Sequence, residues 1–243
     1  MKTYYIPHKL KVGDITHFAD NDSRYAIDVE KIRIEDIVFV QSTEYVYSAV
    51  VTDISNKSVE VEILEKTDKE RNDVLKLHLT LIQSILNNSK MELILEKCAE
   101  IGVNEIILVE SEYSLANAKT INKNFSNYEN IIKQAGLQSR NAFPPVLSRP
   151  IQLSQIDKHI PKDSLNLCFS TEVKDGKSLK IINETKNNNI SIAVGPESGW
   201  SVADLEIFKK NNFQFVTLKG NILRTETVSI VVSSIIKNIK GEI

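Results

Sequence analysis

The residues LKGNILRTET, Leu218–Thr227, follow the apolar run Phe213–Leu218 and begin the last helical pattern of the chain. An earlier stretch of the same kind, VGPESGW at Val194–Trp200, follows the apolar run Ile190–Val194. Glycine and proline allow the backbone to turn sharply after a strand and expose its N–H and C=O groups. Ligands of open α/β sheets bind just beyond the carboxyl ends of the strands. The two loops therefore predict one pocket if their strands are neighbours; the alternative is two ordinary strand-to-helix turns.

Further informative stretches lie upstream of these loops, namely MELILEKCAEIGVNEIILVE at Met91–Glu110 and QSR at Gln138–Arg140. Together with the GPE-x-G turn and the ILRTET string, they resemble the SPOUT class of RNA methyltransferases. Within that class the chain is most similar to the bacterial 16S ribosomal RNA uridine-N3 methyltransferases. The resemblance covers most of Leu75–Ile239 and, more weakly, the N-terminal part. The ILRTET string is a specific signal, whereas the GPE turn alone is not.

The resemblance implies a fold and a cofactor. Members of this class fold the C-terminal region into a parallel-sheet α/β domain with a deep trefoil knot, which local periodicity cannot reveal. Their methyl donor is S-adenosylmethionine (SAM), which carries its own reactive methyl group and has to be positioned rather than activated. The turn Ser170–Glu172, after the predicted strand Leu165–Phe169, is implied as a third part of the pocket. The implied cofactor-binding residues are Ser170, Thr171, Val194, Gly195, Pro196, Glu197, Gly199, Leu218, Gly220, Ile222, Leu223, Thr225 and Thr227.

The acceptor that the resemblance implies is N3 of a uridine in small-subunit ribosomal RNA. N3 belongs to a weakly acidic imide, which loses its proton before, or along with, attack on the methyl group. The negative charge then spreads onto the flanking carbonyl oxygens. A fixed guanidinium stabilises such charge, so Arg224 is the first catalytic candidate, with a phosphate contact as its alternative. Glu197 is the second candidate, for orienting ligand or base, and its alternative is to cap the following turn. Thr225 and Thr227 have the alternative of capping the last helix.

Four arginines are the predicted RNA-binding residues: Arg24, Arg33, Arg140 and Arg224. For Arg140, which follows Gln138-Ser139, the alternatives are a contact to a neighbouring subunit and a solvated loop arginine. Arg24 and Arg33 lie among many acidic residues, where the family usually offers histidine and several arginines.

The chain departs from the family pattern in two further places. Ser198 replaces the fourth residue of the usual GPEGG, which is costly only if that position requires a positive φ. Leu137 stands where an acidic residue usually precedes Gln-Ser, and the glycine that commonly follows is absent. The methyl-donor site is therefore the better supported part of the prediction.

Size and composition are those of a globular protein: 243 residues, 42% hydrophobic and 26% charged. No apolar run reaches the roughly eighteen residues of a membrane span. Met1–Pro7 lacks the pattern of a signal peptide, so we expect a cytoplasmic protein. The net charge is −2, with −5 on residues 1–73 and +3 on the rest. This distribution argues against strong, non-specific RNA binding by the N-terminal part.

The spacing of glycine, histidine and cysteine excludes several common chemistries. The eight glycines form neither the G-x-G-x-x-G pattern of dinucleotide or nucleoside sites nor a P-loop. The four histidines lack metal-ligand spacing, so no metal is expected. Cys98 and Cys168 fit small core residues better than a zinc site or a disulfide. No serine lies in a nucleophile elbow, which leaves hydrolase chemistry without residues to perform it.

Two domains follow from the change of pattern along the chain. Five early runs rich in β-branched and aromatic residues predict strands, and later strands alternate with helices. The early strands are predicted at Tyr4–Ile6, Tyr25–Val29, Ile37–Gln41, Val46–Ile54 and Ser58–Leu64. The polar residues Glu65–Asp73 predict a linker. The pattern therefore predicts a small β-barrel over residues 1–72 and an α/β domain over residues 73–243. The resemblance implies that the first is a PUA-like, RNA-binding domain and that the second is a SPOUT domain.

Helix boundaries and a subunit contact are also predicted. Serine followed three residues later by an acid predicts capping boxes at Ser89–Glu92 and Ser201–Asp204. The last helix, Thr225–Ile239, is apolar on more than one face, which indicates burial on several sides. Because members of the family also dimerise, we expect a homodimer formed through this C-terminal helix.

The predicted function is SAM-dependent methylation of N3 of a uridine in 16S ribosomal RNA, with the small ribosomal subunit as partner. One alternative is a SPOUT methyltransferase that acts on another RNA atom, such as a ribose 2′-hydroxyl. A second is a non-catalytic ribosome- or RNA-binding protein, which the acidic N-terminal part would suit. A third, weaker alternative is a nucleotide-binding protein that does not act on RNA.

Overall fold

The computed structural model describes residues 3–6, 8–42, 45–70, 77–139, 141, 143–161, 163–173 and 175–243. The chain forms two compact units, Met1–Leu75 with Leu137–Ala142 and Lys76–Gly136 with Phe143–Ile243. The predicted boundary between residues 72 and 73 and the predicted RNA contact Arg140 lie outside the described residues. No helix in the described ranges is long and apolar enough to span a membrane.

The first unit is a five-stranded sheet with one helix. Its elements are β1 (Thr3–Tyr5), β2 (Ile15–His17), α1 (Asp20–Asp28), β3 (Ile37–Gln41), β4 (Tyr45–Ser55) and β5 (Ser58–Glu70). The strand order is β1-β3-β4-β5-β2, with β1 and β3 parallel and the other neighbours antiparallel. The edge strands β1 and β2 are not paired with each other among the described residues. The predicted closed barrel is therefore not confirmed.

Two sequence predictions for this unit are wrong. Tyr25–Val29 is not a strand, because it belongs to α1 and the end of that helix. Tyr25 is 53% exposed and Val29 62% exposed, and α1 instead buries Ser23 and Ala26, which lie one helical turn apart. Glu65–Glu70 is not a linker but the second half of β5, paired with β4. The polar side chains of this half are no obstacle, because the sheet is held by backbone hydrogen bonds.

The second unit alternates strands and helices around a parallel sheet. Its strands are β6 (His78–Ser84), β7 (Glu105–Glu110), β8 (Val146–Leu147), β9 (Ile151–Gln152), β10 (Leu165–Phe169), β11 (Asn189–Val194) and β12 (Gln214–Val216). Its α-helices are α2 (Asn88–Ile101), α3 (Ala118–Ser139), α4 (Ile181–Glu184), α5 (Val202–Lys210) and α6 (Thr225–Ile239), and Leu153–Lys158 is a 3₁₀ helix. The strand order is β12-β10-β11-β6-β7-β8, and β9 also pairs with β7.

Both faces of this sheet are covered. Ile106 and Leu108 of β7 pack into one apolar cluster with α2, α3 and α6, whereas Ile107 and Val109 pack into another with α5 and the 3₁₀ helix. Alternate residues of a strand point to opposite faces, so a strand buried on both sides is apolar throughout. This confirms the predicted α/β fold with a parallel sheet; the trefoil knot implied by the resemblance stays a prediction.

Element boundaries in the second unit are close to those predicted, with one correction. β10 and α6 have the predicted bounds, and Ser201 and Asp204 form the predicted capping box of α5. The capping box predicted at Ser89 is wrong, because Asn87 is the N-cap of α2 and its side chain accepts a hydrogen bond from the Lys90 backbone N–H at 3.1 Å. Asparagine and serine both cap helices well, so sequence alone does not choose between neighbouring candidates.

Candidate functional site

The carboxyl ends of three parallel strands lie next to each other at one edge of the sheet. β10 lies between β11 and β12, and its last residue, Phe169, is in register with Val194 of β11 and Val216 of β12. The loops Val194–Trp200 and Leu218–Thr227 therefore follow strands that are separated by β10 and are not direct neighbours. The turn that starts at Ser170 lies between them, as the resemblance implies. All three loops leave the carboxyl edge of the sheet, where α/β proteins bind ligands.

A cavity of about 530 Å³ lies at these three strand ends. Its lining comprises Lys90, Phe169, Ser170, Thr171, Val194, Gly195, Pro196, Glu197, Gly199, Trp200, Val216, Leu218, Gly220, Asn221, Ile222, Leu223, Arg224, Thr225 and Val228. Every residue predicted to bind the cofactor is in this set except Thr227, which is half-buried in the first turn of α6. The volume is in the range of about 300–1,000 Å³ that is usual for small-molecule sites.

The first loop depends on its two glycines. Gly199 has a φ of 76°, and its N–H donates to the Pro196 carbonyl at 3.0 Å. A Cβ atom on Gly195 would lie 3.2 Å from the Trp200 ring, which is tighter than most real Cβ contacts, so a side chain at this position would require the ring to shift by a few tenths of an ångström. Ser198 is not among the residues with positive φ, which explains why serine is tolerated where the family usually has glycine.

Trp200 joins the first loop to β10. Its side chain is 3% exposed, its Nε1–H donates to the Phe169 carbonyl at 3.2 Å, and its ring meets Phe208 edge-on with centroids 4.7 Å apart. The aromatic ring therefore forms a rigid wall of the cavity.

The middle loop, which begins at Ser170, is attached to the end of β12 and to the residue after it. Thr217 Oγ1 lies 3.3 Å from the Ser170 carbonyl and 3.1 Å from the Val173 carbonyl, and the Ser170 N–H donates to the Val216 carbonyl at 3.2 Å. These bonds hold Ser170 against the start of the third loop.

The third loop leads into α6 and is tied back to the first. Gly220 has a φ of 108°, and Ile222 is 84% exposed. Thr225 Oγ1 donates to the Gly195 carbonyl at 2.5 Å, so its hydroxyl joins the two loops rather than capping the helix. Arg224 occupies the N-cap position without a side-chain capping bond.

A buried amide reinforces this connection from β6. Ser229 of α6 donates to Gln83 Oε1 at 2.6 Å, and Gln83 Nε2 lies 3.4 Å from the Val194 carbonyl. Gln83 and Ser229 are both fully buried, so the network is shielded from water. It fixes the position of α6 relative to the end of β11.

The cavity lining includes three charged side chains, those of Lys90, Glu197 and Arg224. Lys90 of α2 is ion-paired with Glu197 of the first loop, and Lys90 Nζ lies 3.3 Å from Glu226 Oε2 of α6. The hydrogen bond to Glu197 raises the pKa of Lys90, so its ammonium stays charged near neutral pH. Arg224, at the cavity edge, is exposed and makes no ion pair or side-chain hydrogen bond within the described part of the chain.

Several lining residues were not predicted from the sequence. They are Lys90, Phe169, Trp200, Val216, Asn221 and Val228. Phe169 and Val216 are the last residues of their strands and could have been inferred from that position. Lys90 could not have been inferred in this way, because in the sequence it is an ordinary residue near the start of a helix, far from the three loops.

The remaining predicted residues lie elsewhere. Arg24 and Arg33 are exposed and belong to the first unit, where Arg24 lies on α1. The searched part of the structure contains no cluster of three or more histidine, cysteine or acidic side chains suited to a metal ion. Burial raises the pKa of the Cys98 thiol to about 12 and raises that of Cys168 well above its usual value. Neither thiol is therefore a nucleophile at neutral pH.

The three loops all lie in a region of the chain that matches a known protein family. The profile of the RNA methyltransferase domain matches residues 73–237, which is more than half of the chain. The chain belongs to the RNA methyltransferase domain family. In this RNA methyltransferase, the matched region contains the parallel sheet and every cavity-lining residue.

Named relatives match this RNA methyltransferase over nearly its whole length. The ribosomal RNA small subunit methyltransferase E of Aquifex aeolicus is 26% identical, covering 94% of this chain and 93% of the relative. The protein of the same name from Buchnera aphidicola is 28% identical, and the match covers 98% of this chain and 93% of the relative. A crystal structure of the Neisseria gonorrhoeae enzyme of this name, bound to SAM, has a TM-score of 0.82 and 26% identity and covers 98% of each chain.

Proposed function

We propose that this protein is a SAM-dependent methyltransferase that acts on N3 of a uridine in 16S ribosomal RNA. The observation that carries the proposal is the cavity at three adjoining strand ends, inside the region that matches the RNA methyltransferase family. The relatives are named as small-subunit ribosomal RNA methyltransferases, and the similar gonococcal structure is bound to SAM.

The cavity suits an adenosyl group. Its walls combine apolar side chains such as Leu218 and Val228 with turns such as the exposed one at Gly220, where the backbone has no side chain to cover it. A planar adenine ring can be held between apolar groups while backbone groups bond to its edge. The proposal includes the cofactor-binding roles that the sequence analysis assigns to individual lining residues.

Arg224 is proposed to act on the acceptor. N3 loses its proton before, or along with, its attack on the sulfonium methyl group, and the resulting negative charge spreads onto the two carbonyl oxygens until the N–CH₃ bond has formed. The guanidinium of Arg224 lies at the cavity edge without an ion-pair partner in the described ranges, so it can meet that charge. Glu197 is already bonded to Lys90 and is therefore proposed to orient ligand rather than to remove the proton.

The first unit is proposed to bind RNA as a PUA-like domain, with Arg24 and Arg33 as contacts. Both side chains are exposed, as such contacts require. With a net charge of −5 on residues 1–73, recognition has to rely on local basic groups and not on a general positive surface. The trefoil knot of the second unit and a cytoplasmic location belong to the same proposal.

We also propose a homodimer in which α6 contributes to the subunit contact. Ile235 of α6 is 37% exposed and Ile222, just before the helix, is 84% exposed, which are apolar groups that a second copy could cover. Multi-angle light scattering at micromolar concentration is expected to give twice the chain mass. A monomer at that concentration would contradict the dimer.

Methylation of intact small subunits, compared with naked 16S RNA, tests the proposed function. Labelled SAM and nucleoside mass spectrometry are expected to show 3-methyluridine in the RNA. A 2′-O-methylated nucleoside would instead support the alternative acceptor atom. If calorimetry detects no SAM binding at all, a non-catalytic RNA-binding protein becomes the better reading.

A further inference from the structure

An ion pair on the cavity wall includes Lys90, which has no role in the function proposed above, and Glu197, whose ligand group has not been named. Lys90 and Glu197 both line the cavity and are bonded to each other, although they come from α2 and from the first loop. Their side chains are 21% and 46% exposed, so a ligand in the cavity can reach both charges.

Each member of this pair retains a free hydrogen-bonding group. The Lys90 ammonium has three N–H donors. Among the described residues, one of them donates to Glu197 Oε1, and Glu226 Oε2 lies 3.3 Å away as an ion-pair partner that is not hydrogen-bonded. Only Oε1 of Glu197 accepts a hydrogen bond among the described residues, which leaves Oε2 open. One donor and one acceptor of opposite charge therefore remain side by side.

We propose that Lys90 and Glu197 bind the amino-acid end of SAM, Lys90 its carboxylate and Glu197 its ammonium. This inference rests on the proposed use of SAM. The carboxylate and the ammonium of an amino acid are attached to one carbon and present adjacent opposite charges. Placed against the ion pair, the carboxylate would meet the Lys90 ammonium and the ammonium would meet the free oxygen of Glu197, so that each group faces an opposite charge.

Glu226 keeps Lys90 in place for this task. It lies in the first turn of α6 and is 8% exposed, with its Oε2 3.3 Å from Lys90 Nζ. When Glu197 shares its charge with a ligand ammonium, Glu226 still holds the lysine. Arg224 is the other cation of the cavity lining, but no described side chain holds it in position.

Calorimetry with three ligands tests the assignment. SAM carries both charged groups, decarboxylated SAM lacks the carboxylate, and methylthioadenosine lacks the whole amino-acid end. We expect the wild-type protein to bind SAM about tenfold more tightly than decarboxylated SAM. Lys90→Met should lower the affinity for SAM about tenfold and so remove that difference. The affinity of this variant for methylthioadenosine should change by less than about twofold.

Lys97→Met is the matched control. Lys97 lies on the same helix and also bridges two glutamates, Glu96 and Glu100, but is not in the cavity lining. It should leave all three affinities unchanged.

The assignment is overturned if Lys90→Met loses affinity for SAM and for methylthioadenosine equally, or if the wild-type protein binds SAM and decarboxylated SAM with equal affinity. It is also overturned if Arg224→Ala, instead of Lys90→Met, removes the difference between those two ligands. The wild-type comparison decides even if Lys90→Met does not fold. A wild-type protein that binds methylthioadenosine but not SAM contradicts the assignment, whereas one that binds none of the three ligands contradicts the proposed function.

Discussion

Replacing Arg224 by alanine should slow methyl transfer by about 10²–10³-fold and leave the SAM affinity within about twofold. Arg224 is exposed and makes no side-chain hydrogen bond or ion pair in the described ranges, so the fold does not depend on it. Its guanidinium is therefore available for charge that appears on the uracil carbonyls only as the reaction proceeds. Single-turnover methylation of small subunits gives the rate, and calorimetry gives the affinity.

Two further variants sharpen this test. Arg224→Lys keeps a positive charge but loses the planar pair of donors, so its rate should fall between those of wild type and Arg224→Ala. Lys219→Ala removes an exposed cation of the same loop that is not in the cavity lining, and less than a threefold change is expected at about constant fold stability. An equal loss in Lys219→Ala would mean that general positive charge matters rather than Arg224. Lost SAM affinity in Arg224→Ala would assign the residue to the cofactor.

Trp200→Ala should lower the free energy of unfolding of the second unit by about 3–5 kcal/mol. The ring is 3% exposed and packs against Phe208, so its removal leaves a cavity beneath the first loop. The same change removes a wall of the binding cavity, and SAM affinity should fall with stability. Denaturant unfolding followed by circular dichroism measures the effect, because Trp200 is the only tryptophan and its fluorescence is lost.

The variant Trp200→Phe distinguishes the contribution of aromatic packing from that of the Nε1–H hydrogen bond. It keeps an aromatic side chain beside Phe208 but cannot donate to the Phe169 carbonyl, so a loss of about 1 kcal/mol is expected. Similar unfolding midpoints for Trp200→Ala and Trp200→Phe would show that ring packing contributes little to the stability, and this would contradict the prediction.

The sequence predicts the second unit well, since the relevant signals there are local. The apolar run Leu165–Phe169 coincides with β10, and Thr225–Ile239 coincides with α6. Glycine and proline after Val194 and Leu218 mark the loops that line the cavity. In the first unit the same rules fail for Tyr25–Val29, because short runs of β-branched and aromatic residues fit an amphipathic helix as well as a strand.

Residues 194–200 and 218–227 by themselves determined that strands end in two loops able to bind a ligand, and that a long apolar helix follows. Tertiary structure alone decided that β10 lies between those two strands and supplies the third loop. It also brought Lys90 to Glu197, 107 residues away along the chain. The order of parallel strands and the partner of a charged side chain depend on groups distant in sequence, and no local pattern of residues records them.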